Sequence, residues 1–443
     1  MRSEYRPIRV ALLGAGSVGA QVARLLIENK DELAELIRKM LSGGQIDPDS
    51  LSKLAGLGAN PALISGLFNQ ARFLMEPGKV VNWDMALAQA QQIAKAKQKS
   101  SNAVIEEELK KACEIASLWL QEVTEFSNPN PVKIFSRELW TKDALPLFSK
   151  LGTPVAEKMS KALAENLETL LPEEMKSVLQ PAAQFIQNAG AAIFATQLGV
   201  VIGQLSEKAL AAGEIGIPII DRPGFITQNV EELLTDLEAQ KSELIIYLAL
   251  RELAISSLFY SNRYLSDQIT TQVIEFASGL KVELGGIQEM MQQVDPQDPE
   301  SVNRILEANG SFASKTPEQE IALERIETLL ALVEGFADAL AFEAGKRLPN
   351  LAAAVEILAR RRATAMVAEK TFQVLVGLEI SPKLRRDAKS MWEKLNKEQR
   401  DDLWRHPDQL PSRAEIENPD LLITRITSGG DDFDGELRKL LDQ

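Results

Sequence analysis

The sequence predicts a mainly α-helical fold: a multi-helix body with one small strand element, preceded by an incomplete βα fragment. Three observations carry this expectation. Apolar residues recur at helical spacing through most of the chain beyond residue 84. Only two short stretches read as strands, Ile8 to Leu13 and Gly216-Ile217-Pro218-Ile219-Ile220. Hydrophobic residues make up 45% of the 443, enough for a large core. At roughly 100–200 residues per domain, this length allows two or three domains or one large helical body with additions.

Taken in order, residues 1–30 hold a strand–turn–helix reading, with Ile8 to Leu13 apolar, Gly14 to Gly19 a turn and Ala20 to Glu28 helical. Residues 31–80 read as a variable helical linker cut by Gly43-Gly44, Asp47-Pro48-Asp49 and Asn60-Pro61. The main domain is expected over 81–426. Its helices fall at about 84–98, 103–123, 136–150, 153–170 and 181–211, and Ser127-Asn128-Pro129-Asn130-Pro131 is a loop. Asp221-Arg222-Pro223-Gly224 is a turn closing the strand candidate.

A helix from about Leu244 to Tyr260 is apolar nearly all round, which predicts burial. Thr316-Pro317-Glu318-Gln319 is a capping box with proline at the first helical position, followed by an apolar stripe from Ile326 to Leu340. Further helices are expected at about 351–362, 366–378, 383–396 and 398–404, and residues 427–443 as a flexible acidic tail.

A formal net charge of −14 repels a phosphate backbone, so a nucleic-acid partner is not expected, and an unidentified protein or peptide is. The single cysteine, Cys113, excludes an intrachain disulfide and a thiolate-rich zinc site, and reads as a small core filler. The front of the chain does not read as a secretory signal. The apolar segment Pro181 to Leu205 carries Gln184, Gln187, Asn188, Gln197 and Gln204, which suits a packed core helix and not a membrane span. Cytoplasmic residence is the expectation.

Gly14, Gly16 and Gly19 match the dinucleotide fingerprint, in which glycines shape a tight turn and a helix N-terminus holds a pyrophosphate. Val10 to Leu26 resembles the start of homoserine dehydrogenase. A Rossmann unit needs a second strand with an acidic residue roughly 20 positions on. Here Lys30 to Arg38 is charged and helical, so NAD(P) binding is not expected.

Further along come Val81-Asn82-Trp83-Asp84, Ser117-Leu118-Trp119-Leu120, Tyr247-Leu248-Ala249-Leu250-Arg251-Glu252 and Leu329 to Gly335. Arg360-Arg361-Arg362-Ala363, Thr371 to Glu379 and Leu403 to Pro411 follow. In that order, over about residues 80–426, they resemble the zincin-like family of zinc-dependent metalloproteases and hydrolases. The resemblance implies a helix bearing HExxH, where two histidines bind zinc and the glutamate activates water. In this sequence the position reads Arg251-Glu252-Leu253-Ala254-Ile255, so Glu252 stands as the catalytic candidate and Arg251 and Ile255 occupy the ligand positions. The third ligand is implied on the later helix, at Glu334 or Asp338.

Zinc is implied by the resemblance, but the chain has one histidine, His406, and no zinc or other cofactor is expected. A carboxylate site from Glu252, Glu334 and Asp338 would suit magnesium or manganese, although Arg251 would repel the ion. The alternative is that Arg251 takes the place of the metal and bridges Glu334 or Asp338 as a buried ion pair. Plainer readings put Glu252 on an exposed helix edge, Glu334 beside the stripe, His406 extended before Pro407, and Arg360-Arg361-Arg362 on a solvated face with one member folded inward. The expected role is binding or scaffolding on a degenerate motif. Active hydrolysis through Glu252 with carboxylate ligands, and NAD(P) binding at the front glycines, are the alternatives.

Overall fold

A computed structural model of the chain describes residues 81–100, 102–170, 195–235, 237, 241–279, 316–378 and 380–427. The strand–turn–helix reading of 1–30, with Gly14, Gly16 and Gly19, lies outside the described residues, as do the linker reading of 31–80 and the tail 428–443. The chain divides into two compact units, and the elements below belong to the one formed by Val80–Leu163, Ala189–Leu280 and Lys315–Gln443, except residues 164–170 at the end of α3 (Arg137–Leu170).

Helix α1 (Trp83–Ala96) is capped by the Asn82 side chain, and α2 (Ala103–Val123) by that of Asn102. On α2 the stripe Ile105, Leu109, Ala112, Cys113, Ala116, Leu120 and Val123 is buried, so Cys113 is the core filler its setting suggested. Helix α3 (Arg137–Leu170) corrects the expectation of two helices meeting at Gly152, because it runs through Pro146 and Pro154. Each proline removes one N–H from the helix, and two hydroxyls nearby bond helix carbonyls, Ser149 Oγ donating to Pro146 O at 2.9 Å and Thr153 Oγ1 to Ser149 O at 2.7 Å. Of the expected helix 181–211, the described part is helical over 195–206.

The strand expected at Gly216 to Ile220 is a second correction. Those residues form a bent, irregular segment, because Gly216 sits at φ 86° and Pro218 has no N–H to give a ladder. Ile217 and Ile219 are buried all the same, so their apolarity serves the core and not a sheet. The sheet is instead β1 (Lys133–Phe135) paired in parallel with β2 (Gly224–Ile226), Ile134 opposite Phe225. Ala211 bridges Phe225 from the other side, through Ala212 N to Gly224 O and Ile226 N to Leu210 O, each 2.9 Å.

Helices α4 (Thr227–Leu234), α5 (Lys241–Ser261) and α6 (Tyr264–Ser278) follow, then α7 (Pro317–Ala344) behind its Thr316–Gln319 capping box. Gln319 also donates to Phe276 O at 3.1 Å, tying the start of α7 to the end of α6. Helices α8 (Leu351–Ala365), α9 (Val367–Val376), α10 (Pro382–Trp392), α11 (Lys397–Asp402) and α12 (Arg413–Glu417) come next, and residues 419–427 are helical as well.

Helices α5 and α7 pack on each other at the centre, with α2 and α8 against α5 and α6 and α10 against α7. That placement explains why α5 is buried from Tyr247 to Phe259 without an exposed face. It is the one helix among the described residues long and apolar enough to cross a membrane, and most of it is buried inside the protein. An aromatic cluster of Phe336, Trp392 and Trp404, with edge and stacked contacts at 5.4 Å, closes the far side of α7.

Candidate functional site

The facing sides of α5 and α7 are apolar except at three charges, and all three are buried: Arg251 at 5% exposure, Glu334 and Asp338 at 6% each. Glu334 and Asp338 lie one turn apart on α7, so both carboxylates reach the same place. Arg251 Nε donates to Asp338 Oδ1 at 2.5 Å, and its Nη2 to Glu334 Oε2. Arg362, from α8, forks onto the same pair, Nη1 to Glu334 Oε2 and Nη2 to Asp338 Oδ2, both 2.9 Å. Two guanidiniums and two carboxylates thus form a neutral quartet, which is how charges persist away from water. Burial works to raise the Asp338 pKa, but Arg362 and Arg251 together outweigh it and hold the carboxyl well below the usual range. The same two carboxylates hold Arg251 charged against its own burial.

Glu252, the next residue on α5, points elsewhere. Its Oε2 accepts from Gly213 N at 3.0 Å and its Oε1 from Gly224 N at 3.1 Å. Both donors are glycines for a steric reason. A Cβ on Gly213 would stand 2.8 Å from Ile255 Cγ2 and 3.0 Å from Glu252 Oε2, and one on Gly224 would overlap the Phe135 ring. The loop and β2 can therefore lie close enough to α5 to bind the carboxyl only without side chains there. Burial pushes Glu252 up to about 8, against the pull of the two amides, and Glu214 adds to the rise. Glu214 is itself raised by burial, and its Oε2 accepts from Leu210 N. Glu214, Glu252, Arg251 and Arg362, with Leu248 and Leu358, line a cleft with about 10 Å³ of space for water, room for roughly one molecule.

The structure thus brings Arg251, Glu334 and Asp338 together, as the ion-pair reading expected, and leaves Glu252 apart on the loop side. Glu252 is 2% exposed, so the exposed-edge alternative does not hold. Ile255 is buried and offers no donor atom. His406 is extended, at φ −141°, and its Nδ1 accepts from Asp408 N at 3.2 Å in a local turn. Of the three consecutive arginines, Arg360 pairs with Glu356 on the surface, Arg361 donates to Lys208 O, and Arg362 is the member folded inward. Sequence reasoning missed Glu214 and both amide-donating glycines. The signal for the glycines was weak, since Gly213 and Gly224 read only as loop residues.

Zinc, which the HExxH resemblance implies, does not fit these residues. Arg251 and Ile255 carry no metal-binding atom, Glu334 and Asp338 are bound to guanidiniums, and the Glu252 oxygens are taken by backbone amides. Among the described residues no group of three or more histidine, cysteine, aspartate or glutamate side chains is placed to hold a metal ion.

Comparison with solved structures gives a Chloroflexus aurantiacus protein described as "a putative hydrolase with a novel fold". The two are 16% identical with a TM-score of 0.53, over 78% of this chain and 99% of that one. At that identity the likeness speaks to the fold alone. No curated protein matches the sequence. The profile of the zincin-like metallopeptidases matches residues 81–423, from the start of the described helical unit to its last helix, leaving the glycine-rich front uncovered. With over three-quarters of its length matched in this way, the chain belongs to the zincin-like metallopeptidase family.

Proposed function

We propose that this protein keeps the zincin-like fold, has lost zinc chemistry, and acts as a binding or scaffold protein. The observation that carries this reading is the Arg251 guanidinium seated between Glu334 and Asp338 and doubled by Arg362. If Arg251 stands at the first ligand position of the degenerate motif, its fixed positive charge fills the place of the metal and repels any cation. The carboxylates then tie α5 and α8 to α7 and are unavailable for catalysis. The test is elemental analysis of the purified full chain, before and after incubation with zinc or manganese, alongside a peptide-cleavage assay. The expected result is no stoichiometric metal and no cleavage that a chelator abolishes. Stoichiometric zinc with chelator-sensitive cleavage would overturn the proposal.

A second reading rests on Glu252 and Glu214. Two buried carboxyls with raised pKa values share a cleft with room for one water. One ionised and one protonated carboxyl can activate a water without metal, the first as base and the second as acid. Chelator-resistant cleavage abolished by Glu252→Gln, with the fold intact, would favour this reading over the first.

A further inference from the structure

Elsewhere in the same unit the segment after α1 meets the start of α3 and the α4 helix around an open cleft of about 510 Å³. Lys97, Lys99, Arg137 and Lys208 line it with Glu207 and Glu232, so four cations face two carboxylates on a chain whose net charge is −14. The cations are held by a built scaffold. Arg137, with its side chain 4% exposed, donates from Nε to Asn229 Oδ1 at 2.7 Å, from Nη1 to Lys97 O at 3.2 Å and from Nη2 to Glu232 Oε2 at 2.7 Å. Gln228 fastens the lysine loop, accepting from Lys99 N at 2.8 Å and donating to Lys97 O at 2.9 Å. Asn229 is anchored in turn on Ser206 O at 2.9 Å.

The lysine ammoniums are loosely committed. Lys97 meets Glu207 at 3.5 Å and Lys99 meets Glu232 at 3.4 Å, with both lysine side chains about 70% exposed. Pairs of that kind are weak and yield to a dianion. Lys208 has no carboxylate within ion-pair reach among the described residues. The cleft also borders the N-terminus of α3, a 34-residue helix, where a negative group is favoured. Glu207, Glu232 and the Gln98 amide supply acceptors beside these cations, which suits a ligand with hydroxyl groups to donate. A cleft of this volume lies in the range of small-molecule sites.

We propose that this cleft binds a phosphorylated polyol, a sugar phosphate in size and chemistry, with the lysines on the phosphate and the carboxylates on the hydroxyls. The test is calorimetric titration of the full chain with glucose 6-phosphate, inorganic phosphate and glucose at matched ionic strength. It is repeated on Lys99→Glu/Lys208→Glu and on a control, Lys110→Glu, an exposed charge on α2. The expected result is saturable binding of the sugar phosphate, at least tenfold tighter than either half alone. Affinity should drop at least tenfold in the double variant and stay unchanged in the control. No saturable binding, or equal binding by the double variant, would overturn the site. Inorganic phosphate binding as tightly as the ester would overturn the assignment of the carboxylates to hydroxyls. Because the substituted lysines are surface residues, circular dichroism of the double variant should match the wild type, and the wild-type titration alone decides the first outcome.

Discussion

Replacing Arg251 by alanine removes one of the two guanidiniums that hold Glu334 and Asp338. Two charge-assisted hydrogen bonds vanish, each worth about 1.5–3 kcal/mol net. Arg362 still donates to both carboxylates, but a neutral quartet becomes a buried triad carrying one surplus negative charge. Breaking a buried pair from one side costs about 3–5 kcal/mol, and we expect Arg251→Ala to fall in that range at pH 7. Urea unfolding of wild type and variant at constant m-value measures it as a shift in midpoint. The cost should be smaller at pH 5, where the stranded carboxylates take up a proton more readily. Adding Glu334→Gln to Arg251→Ala should recover more than about 1 kcal/mol, because one unpaired charge is then gone. An unchanged midpoint for Arg251→Ala, or costs of the two substitutions that simply add, would refute the coupling.

The carboxyls on either side of this site should oppose each other in pH dependence. Glu252 has a folded-state pKa raised to about 8, so its folded form keeps a proton that the unfolded chain loses from about pH 4.5 upward. Its contribution therefore falls as pH rises between those values, by an upper bound of about 4–5 kcal/mol. Asp338, with its depressed pKa, contributes stability present at neutral pH and lost in acid. Unfolding free energy measured from pH 3 to 9 should thus peak on the acid side of neutrality, and a steady rise up to pH 9 would contradict this. Gly213→Ala and Gly224→Ala should each lower stability by about 1–3 kcal/mol by pushing an amide off the Glu252 carboxyl; thermal unfolding within a degree of wild type would discount the close approach. Replacing the whole quartet by apolar residues (Arg251→Met, Glu334→Leu, Asp338→Leu and Arg362→Met together) should be neutral or stabilising by up to about 4 kcal/mol, since no charge is then stranded. A large loss in urea midpoint would show that the quartet does more than balance its own burial.

Much of the helical frame was legible because it rests on local signals. The bounds of α2 follow from Asn102 and its apolar stripe, and those of α7 begin at the Thr316–Gln319 box. Arg251 could be paired with α7 from sequence because an arginine in so apolar a helix needs a buried acid. The inward turn of one residue among Arg360-Arg361-Arg362 was also visible, though not its destination, since two helices have to meet before Arg362 can reach Glu334. Non-local features were hidden. The three-residue β1–β2 ladder joins segments about 90 positions apart and has no alternation to announce it. Gly216 to Ile220 carries strand-like apolarity but is turned by its glycine and proline. At Pro154 the helix persists where a local rule would end it, and Leu151, Val155 and Ala156 beside it are buried in the core. Glu214 and Glu252 meet only after the 209–226 loop has folded over α5, which no spacing in the sequence encodes.

The all-round burial of α5 has a consequence for how the chain comes into being. As it leaves the ribosome, this segment has the length and oiliness that translocation and quality-control factors recognise. Of the helices it packs on most, α2 precedes it in the chain, but α7 emerges only after the whole of 262–316 has been translated. During that interval the greasy helix must be sheltered by α2 and by chaperones, so synthesis stalled between the two helices will leave a nascent protein prone to clump or to be misrouted to a bilayer.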